Sequence, residues 1–309
     1  VSIVTTTDFV NMSANSFNDI DQIRFASANQ TGTFTGLQLT GETLLLTETA
    51  TGTSNLIINV GTGETATLNS ITASTFTSGS DTITINGAGG NETITAPNLA
   101  TTINAGNGDN IIDGGAGADI IVGGSGDDVY RFNTNDVANG ESITDSGGSA
   151  DVVEIVTTTD FVNMPTSSLD AIEQIRFSGA NQTATFKGVQ LKSQAFDLGE
   201  SAAGTSNLVI NLDSGETATF ASLTATGGFT SGSDTITING TSGNENITGS
   251  NLAIIFDGGA GADTFVGGNG NDVYRFDTND VANGESITDS GGSADVVEIV
   301  TTMDFVNMP

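Results

Sequence analysis

Four aspartates, Asp119, Asp128, Asp263 and Asp272, each close the string Gly-Gly-x-Gly-x-Asp. The strings open at Gly114, Gly123, Gly258 and Gly267, so the two in each pair start nine residues apart. Glycine permits positive φ and close backbone approach. A turn built on Gly114, Gly115 and Gly117, or on Gly123, Gly124 and Gly126, is therefore expected to leave its carbonyl oxygens pointing at one spot. The same holds for Gly258, Gly259 and Gly261, and for Gly267, Gly268 and Gly270. The aspartate adds a hard anionic oxygen. The chain has no His and no Cys, and oxygen-only coordination selects calcium over zinc or copper.

These strings sit inside a much longer repeat. VTTTDFVNM starts at Val4 and again at Val156, and VTTMDFVNMP starts at Val300. The sequence thus contains two long units and the opening of a third, as expected of a segment of a longer array. SDTITING recurs at an offset of 153 (Ser80, Ser233), whereas GGAGAD recurs at 144 (Gly114, Gly258). The difference, 153 minus 144, is nine residues. The second unit lacks the equivalent of AGNGDNIID at 105–113, so the nonapeptide is the structural quantum.

In nines, the first unit gives GAGGNETIT (87–95), APNLATTIN (96–104), AGNGDNIID (105–113), GGAGADIIV (114–122) and GGSGDDVYR (123–131). The second gives GTSGNENIT (240–248), GSNLAIIFD (249–257), GGAGADTFV (258–266) and GGNGNDVYR (267–275). The pattern GGxGxDxUx, with U a large apolar residue, resembles the RTX (repeats-in-toxin) calcium-binding β-roll family. The resemblance covers about the second half of each unit. It implies six residues of turn and three of strand per row, two rows per coil, and U residues such as Ile121 and Tyr130 turned inward. It places calcium between coils, bound by alternate rows on one side.

Both units continue as NDVANGESITDSGGSADVVEIV, which is similar to the degenerate rows that follow RTX blocks. Alternate-row pairing then joins Asp119 to Glu141, Asp128 to Asp151, Asp263 to Glu285 and Asp272 to Asp295. Glu92 and Asn110 depart from the Asp consensus and are weaker candidates. Rows 96–104 and 249–257 lack the turn glycines and the acid, and are expected to bind no calcium. Gly/Asp-rich surface turns are the plainer alternative, but strict nines in both units favour calcium. A dinucleotide loop is a poor rival, because no amphipathic helix follows these glycines.

Residues 1–79 and 153–232 carry no nonapeptides and read as short strands split by Gly, Asn and Ser turns, LVINL (208–212) among them. One helical turn is expected within 167–177, where Leu169 and Ile172 are three apart. A continued parallel solenoid is the first choice for these segments and a small β-sandwich the second. The fold expected is all-β, with parallel β-solenoid blocks at 80–152 and 233–298 alternating with β-rich segments at 1–79 and 153–232. A third unit opens at 299–309. Because one row is half a coil, the missing nonapeptide predicts a shift of phase: Glu92 and Asp128 on the same side, Glu245 and Asp272 on opposite sides.

The charge balance narrows the partners. With 37 acidic against 6 basic residues, the net charge is −31. Such a chain cannot replace phosphate counterions, which excludes nucleic acid, and anionic membranes repel it. No run approaches the ~20 apolar residues of a membrane span. Hydrophobic content is 36%, against about 45–50% for ordinary domains with Gly counted, which suits a thin solenoid core. No catalytic constellation stands out, so no enzyme is expected. The leading expectation is a calcium-stabilised structural protein of a bacterial surface layer, filament or adhesin stalk that self-associates. The RTX resemblance implies export by type I secretion and folding outside the cell. An accessory calcium module of a larger secreted enzyme or toxin is the alternative. A third reading, a Thr-ladder surface for ice or carbohydrate, lacks a regular Thr-x-Thr array.

Overall fold

The computed structural model describes residues 1–77, 80–230, 233–278, 280–281 and 284–301. Beyond Thr301, the expected opening of a third unit lies outside the described residues. The chain divides into two compact units, Val1–Val153 with Asn163–Ile172, and Glu154–Val162 with Glu173–Pro309.

In the first unit, short strands alternate inward apolar and outward polar residues, as in Thr31–Thr35 and Thr82–Asn86. This period of two makes each strand half-buried. The strands stack in parallel register, Thr31–Thr35 on Asn55–Asn59 and Asn55–Asn59 on Thr82–Asn86. Thr101–Asn107, Ile120–Ser125 and Ser142–Thr144 continue the same face. A second face runs Thr65–Thr67, Thr93–Thr95, Ile111–Asp113, Val129–Phe132. A third, Ser2–Ile3, Gln22–Phe25, Leu44–Glu48 and Ile71–Ala73, exists only in the early coils. The coil step falls from 27 residues at Asn55 to Thr82 to 18 between nonapeptide rows, then widens to 22 at Asp119 to Glu141. A sandwich would need antiparallel pairing. The described pairings are parallel, so the first choice, a continued solenoid, is what forms.

The second unit repeats this plan. Thr183–Lys187, Asn207–Asn211, Thr235–Thr241, Ile254–Gly259, Val273–Phe276 and Val296–Ile299 form its long face. Thr217–Thr219, Asn246–Thr248, Thr264–Val266 and Ser286–Thr288 form its second.

The core is a column of inward residues. Ile121 and Tyr130 are buried as expected, and Phe256 stacks on Tyr274 with ring centroids 5.2 Å apart. Outside the core, Asn59, Asn86 and Asn104 form a side-chain amide ladder at successive coils, bonded at 3.3 and 3.0 Å. Thr166–Leu169 supplies the expected helical turn. The sequence reading missed two four-residue helices, Gly36–Leu39 and Gly188–Leu191. Gln38 holds the first in place: its side-chain oxygen accepts from Thr35 N–H, and its amide donates to the carbonyls of Phe9 and Met12.

The phase shift is present. In the first unit the Tyr130 strand shares a face with Thr65–Thr67 and Thr93–Thr95. In the second, the equivalent Tyr274 strand shares the face of Thr235–Thr241, and Asn246–Thr248 lies on the other. The degenerate row 249–257 stays regular and does not absorb the half coil.

Candidate metal centres

Along each edge of the coil, one acidic or amide side chain per turn accepts a hydrogen bond from the backbone N–H one coil earlier. In the first unit, Asn110 accepts from Glu92 N–H at 2.9 Å, Asp128 from Asn110 N–H at 2.7 Å and Asp151 from Asp128 N–H at 2.7 Å. On the opposite edge, Asp119 accepts from Thr101 N–H at 2.7 Å and Glu141 from Asp119 N–H at 2.9 Å. The second unit repeats the ladder: Asp263 accepts from Glu245 N–H, Glu285 from Asp263 N–H, Asp272 from Ile254 N–H and Asp295 from Asp272 N–H. The structure thus brings together each of the four expected alternate-row pairs.

This bond uses only one carboxylate oxygen. The Oδ2 atoms of Asp119, Asp128 and Asp263 are buried and accept no hydrogen bond. A buried carboxylate oxygen without a donor is costly, and a cation removes that cost. The first glycine of each row makes room for this oxygen. A Cβ on Gly114 would lie 2.8 Å from Asp119 Oδ2, and one on Gly258 2.4 Å from Asp263 Oδ2. On Gly123 it would lie 2.5 Å from Asp128 Oδ2, and on Gly267 2.7 Å from Asp272 Oδ2. The later glycines serve coil-to-coil contact. At Gly124, φ is +123° and a Cβ would fall 1.9 Å from Gly106 O. Gly268 and Gly270 crowd Ser250 O and Leu252 O in the same way.

Each unit gathers three carboxylates at one place: Asp128, Asp145 and Asp151 in the first, Asp272, Asp289 and Asp295 in the second. Within each trio, one oxygen per residue lies within 4.8 Å of the others. The sequence reading missed Asp145 and Asp289, which stand outside the sixth row position. The row pattern carries no mark for them: each lies fifteen residues beyond a buried tyrosine, and only the fold brings that hydroxyl to it. It also missed Asp113 and Asp136, whose charges act on Asp119.

The electrostatics follow from burial. Desolvation pushes Asp119 up to about 8, against the Thr101 N–H bond and with help from the charges of Asp136 and Asp113. Asp128 rises to about 7, again mainly by burial, opposed by Asn110 N–H and raised further by Asp145 and Asp151. Glu141 reaches about 9 and Asp263 about 7, both led by burial. Burial also raises Asp272. Metal ligands must be deprotonated, so a divalent cation bound here would displace the protons that burial favours.

The ladder separates ligand candidates from structural acids. Asn110 spends both ends of its amide, accepting from Glu92 N–H and donating to Gly108 O. Asp81 and Asp234 sit at equivalent ladder positions, but each closes both oxygens on backbone N–H groups. The oxygen-only donor set, the donor-less buried oxygens and the glycine cradles all fit calcium.

Comparison with known families agrees with this geometry. The family profile described as the RTX calcium-binding nonapeptide repeat (4 copies) matches residues 99–130, 239–274 and 255–280. These segments are RTX calcium-binding repeats, wound here into parallel β-roll coils. Comparison with curated proteins and with solved structures gives no match.

Proposed function

We propose that the chain is a calcium-stabilised extracellular structural repeat protein of a bacterial surface layer, filament or adhesin stalk, and that it has no catalytic role. The observation that carries the calcium part is the row of buried carboxylate oxygens without donors at Asp119, Asp128 and Asp263. In this reading calcium bridges Asp119 with Glu141 and Asp128 with Asp151, and in the second unit Asp263 with Glu285 and Asp272 with Asp295. Type I export would deliver an unfolded, acidic chain from a low-calcium cytoplasm, and external calcium would fold it. Long units repeated wholesale favour a structural role. A calcium module appended to a secreted enzyme or toxin would use the same sites and is the alternative.

Circular dichroism in calcium and in EDTA tests the first part. A large loss of β signal or of melting temperature in EDTA is expected, and an unchanged melt would refute calcium control. Light scattering and electron microscopy across a calcium titration test the second part. Ordered assemblies are expected above the folding midpoint, and a monomer at every calcium concentration would favour the accessory-module reading.

A further inference from the structure

The strand Val296–Ile299 pairs with Val273–Phe276 and is the last strand of its sheet among the described residues. Its apolar side chains face solvent: Val297 is 52% exposed and Ile299 55%. The same residues occur earlier in the chain in a different state. VEIV at 153–156 corresponds to VEIV at 297–300, and there Val153 and Ile155 are fully buried. An exposed apolar edge strand is a template for pairing with another chain.

Contacts within each unit show what covers this sequence. In the second unit the strand Gln174–Phe177 lies beside Glu154 and Ile155. Arg176 donates to Glu154 Oε1 at 2.9 and 3.1 Å, and Ser178 N–H donates to Ile155 O at 2.9 Å. In the first unit the matching strand is Gln22–Phe25, and VSIV at 1–4 takes the place of VEIV. Ala26 N–H donates to Ile3 O at 2.8 Å in the same way. Ser2 stands where the second unit has Glu154, so Arg24 reaches a neutral hydroxyl at 3.3 Å instead of a carboxylate. A cap completes the cover. Ser168 Oγ accepts from Ile143 N–H at 3.3 Å, and Met164 is 3% exposed. The counterparts of these residues are open: Met12 is 47% exposed, Ser16 is exposed, and Ile287, which matches the buried Ile143, is half-buried.

We propose that copies of this chain associate head to tail by strand donation. Val297–Val300 of one copy takes the place that Val1–Val4 holds beside Gln22–Phe25 in the next, and Val1–Val4 of the receiving copy is released. Glu298, which bonds Arg275 at 2.7 Å on the exposed edge, then brings to Arg24 the carboxylate that Ser2 lacks. The segment Met12–Ile20 of the receiving copy covers Ser286–Thr288 of the donor, as Asn163–Ile172 covers Ser142–Thr144 in the first unit. Strand donation draws affinity from main-chain hydrogen bonds and specificity from the side chains that are buried. Donor and acceptor surfaces differ, so the contact is heterologous, and repeated without closure it builds a filament. The inference rests on the self-association reading given above and names the surface that would carry it.

The test is the mass of the 309-residue chain in calcium, measured by sedimentation velocity across a concentration series. Masses that grow beyond the dimer are expected. Val297→Asp combined with Ile299→Asp should hold the chain monomeric and leave its melting temperature unchanged, because both side chains are exposed in the single chain. Ile120→Asp, an exposed position on another strand, should leave association intact. Crosslinking reads the contact itself, since the chain has no Cys. Ser2 pairs with Arg24 in register, and Glu298 would take the place of Ser2. Arg24→Cys and Glu298→Cys, made in separate chains and mixed, should therefore join through a short thiol crosslinker. Thr217→Cys, on exposed surface, should not join in place of Arg24→Cys. Assemblies that persist in the Val297→Asp, Ile299→Asp chain, or equal joining at Thr217→Cys, would overturn strand donation and leave self-association standing. A parent chain that folds in calcium and stays monomeric would overturn both.

Discussion

The Tyr130 hydroxyl donates to Asp145 Oδ2, and the Tyr274 hydroxyl donates to Asp289 Oδ2 at 2.7 Å. In both units the inward residue of the last full row thus also orients a carboxylate of the acidic trio. Core packing and the acidic trio share one side chain. Hydrogen bonds to charged groups contribute about 1.5–3 kcal/mol. Tyr130→Phe is expected to lower calcium-free stability by about that amount. Tyr274→Phe should cost less, because Asp289 and Asp295 are exposed whereas Asp145 is half-buried and Asp151 buried. Paired chemical denaturation curves in EDTA would measure both, and equal losses would contradict the burial argument.

Acid should stabilise the calcium-free protein. Asp119, Asp128, Glu141 and Asp263 have folded values near 8, 7, 9 and 7, against about 4 in an unfolded chain. Between those limits the native state binds more protons than the unfolded state, so stability falls as pH rises. The contribution is fully present below about pH 4 and is lost as pH climbs through 7 to 9. In EDTA the melting temperature should therefore climb as pH is lowered from 9 to 5. Calcium should flatten that slope and release protons on binding. Calorimetry in buffers of different ionisation enthalpy reads the release directly; none at pH 6.5 would contradict the buried sites.

Asp128 and Asp81 should separate by their calcium dependence. Asp128 has one donor-less oxygen, whereas Asp81 closes both, on Ser54 N–H at 2.8 Å and Thr77 N–H at 2.6 Å. Asp128→Asn should remove a calcium-dependent stabilisation of about 2.7 kcal/mol at an ion concentration 100 times Kd, and cost little in EDTA. Asp81→Asn should cost about 1–3 kcal/mol in both conditions. Melting curves with and without calcium give the four numbers. Asn98→Ala, in a row without the acid, should leave stoichiometry intact.

Gly123 and Gly89 test the cradle. A Cβ at Gly123 would meet the Tyr130 hydroxyl at 1.8 Å and Asp128 Oδ2 at 2.5 Å, whereas at Gly89 it would meet nothing within 4 Å. Gly123→Ala should abolish one calcium site and destabilise the fold. Gly89→Ala should leave calcium stoichiometry and melting within error of the parent. Dialysis and thermal melts on the pair decide it.

The coil was legible in the sequence because its period is carried by glycine and aspartate, residues whose spacing reflects backbone geometry rather than packing. Asp119, Asp128, Glu141 and Asp151 could be paired by counting rows. Asp145 could not be placed, since its role depends on where the Tyr130 hydroxyl ends in space. The ladder acid Asp81 was hidden for a related reason. It lies in a coil of 27 residues, where no fixed repeat announces which side chains stack. The helix Gly36–Leu39 escaped because four residues are too few to show a helical period, and it is held by the side chain of Gln38 instead.

The nine-residue difference between the units decides which edge the terminal acidic trio occupies. In the first unit the trio around Asp128 ends the edge that carries Glu92; in the second, the trio around Asp272 ends the edge that carries Asp234. A difference of one row puts an edge beside new neighbours, and only a difference of two rows would restore the original ones. The two units thus differ by nine residues, while the coil geometry returns only after eighteen. Each single-row difference acts as an odd–even toggle, reassigning the terminal acidic trio to the other edge without altering one of its carboxylates.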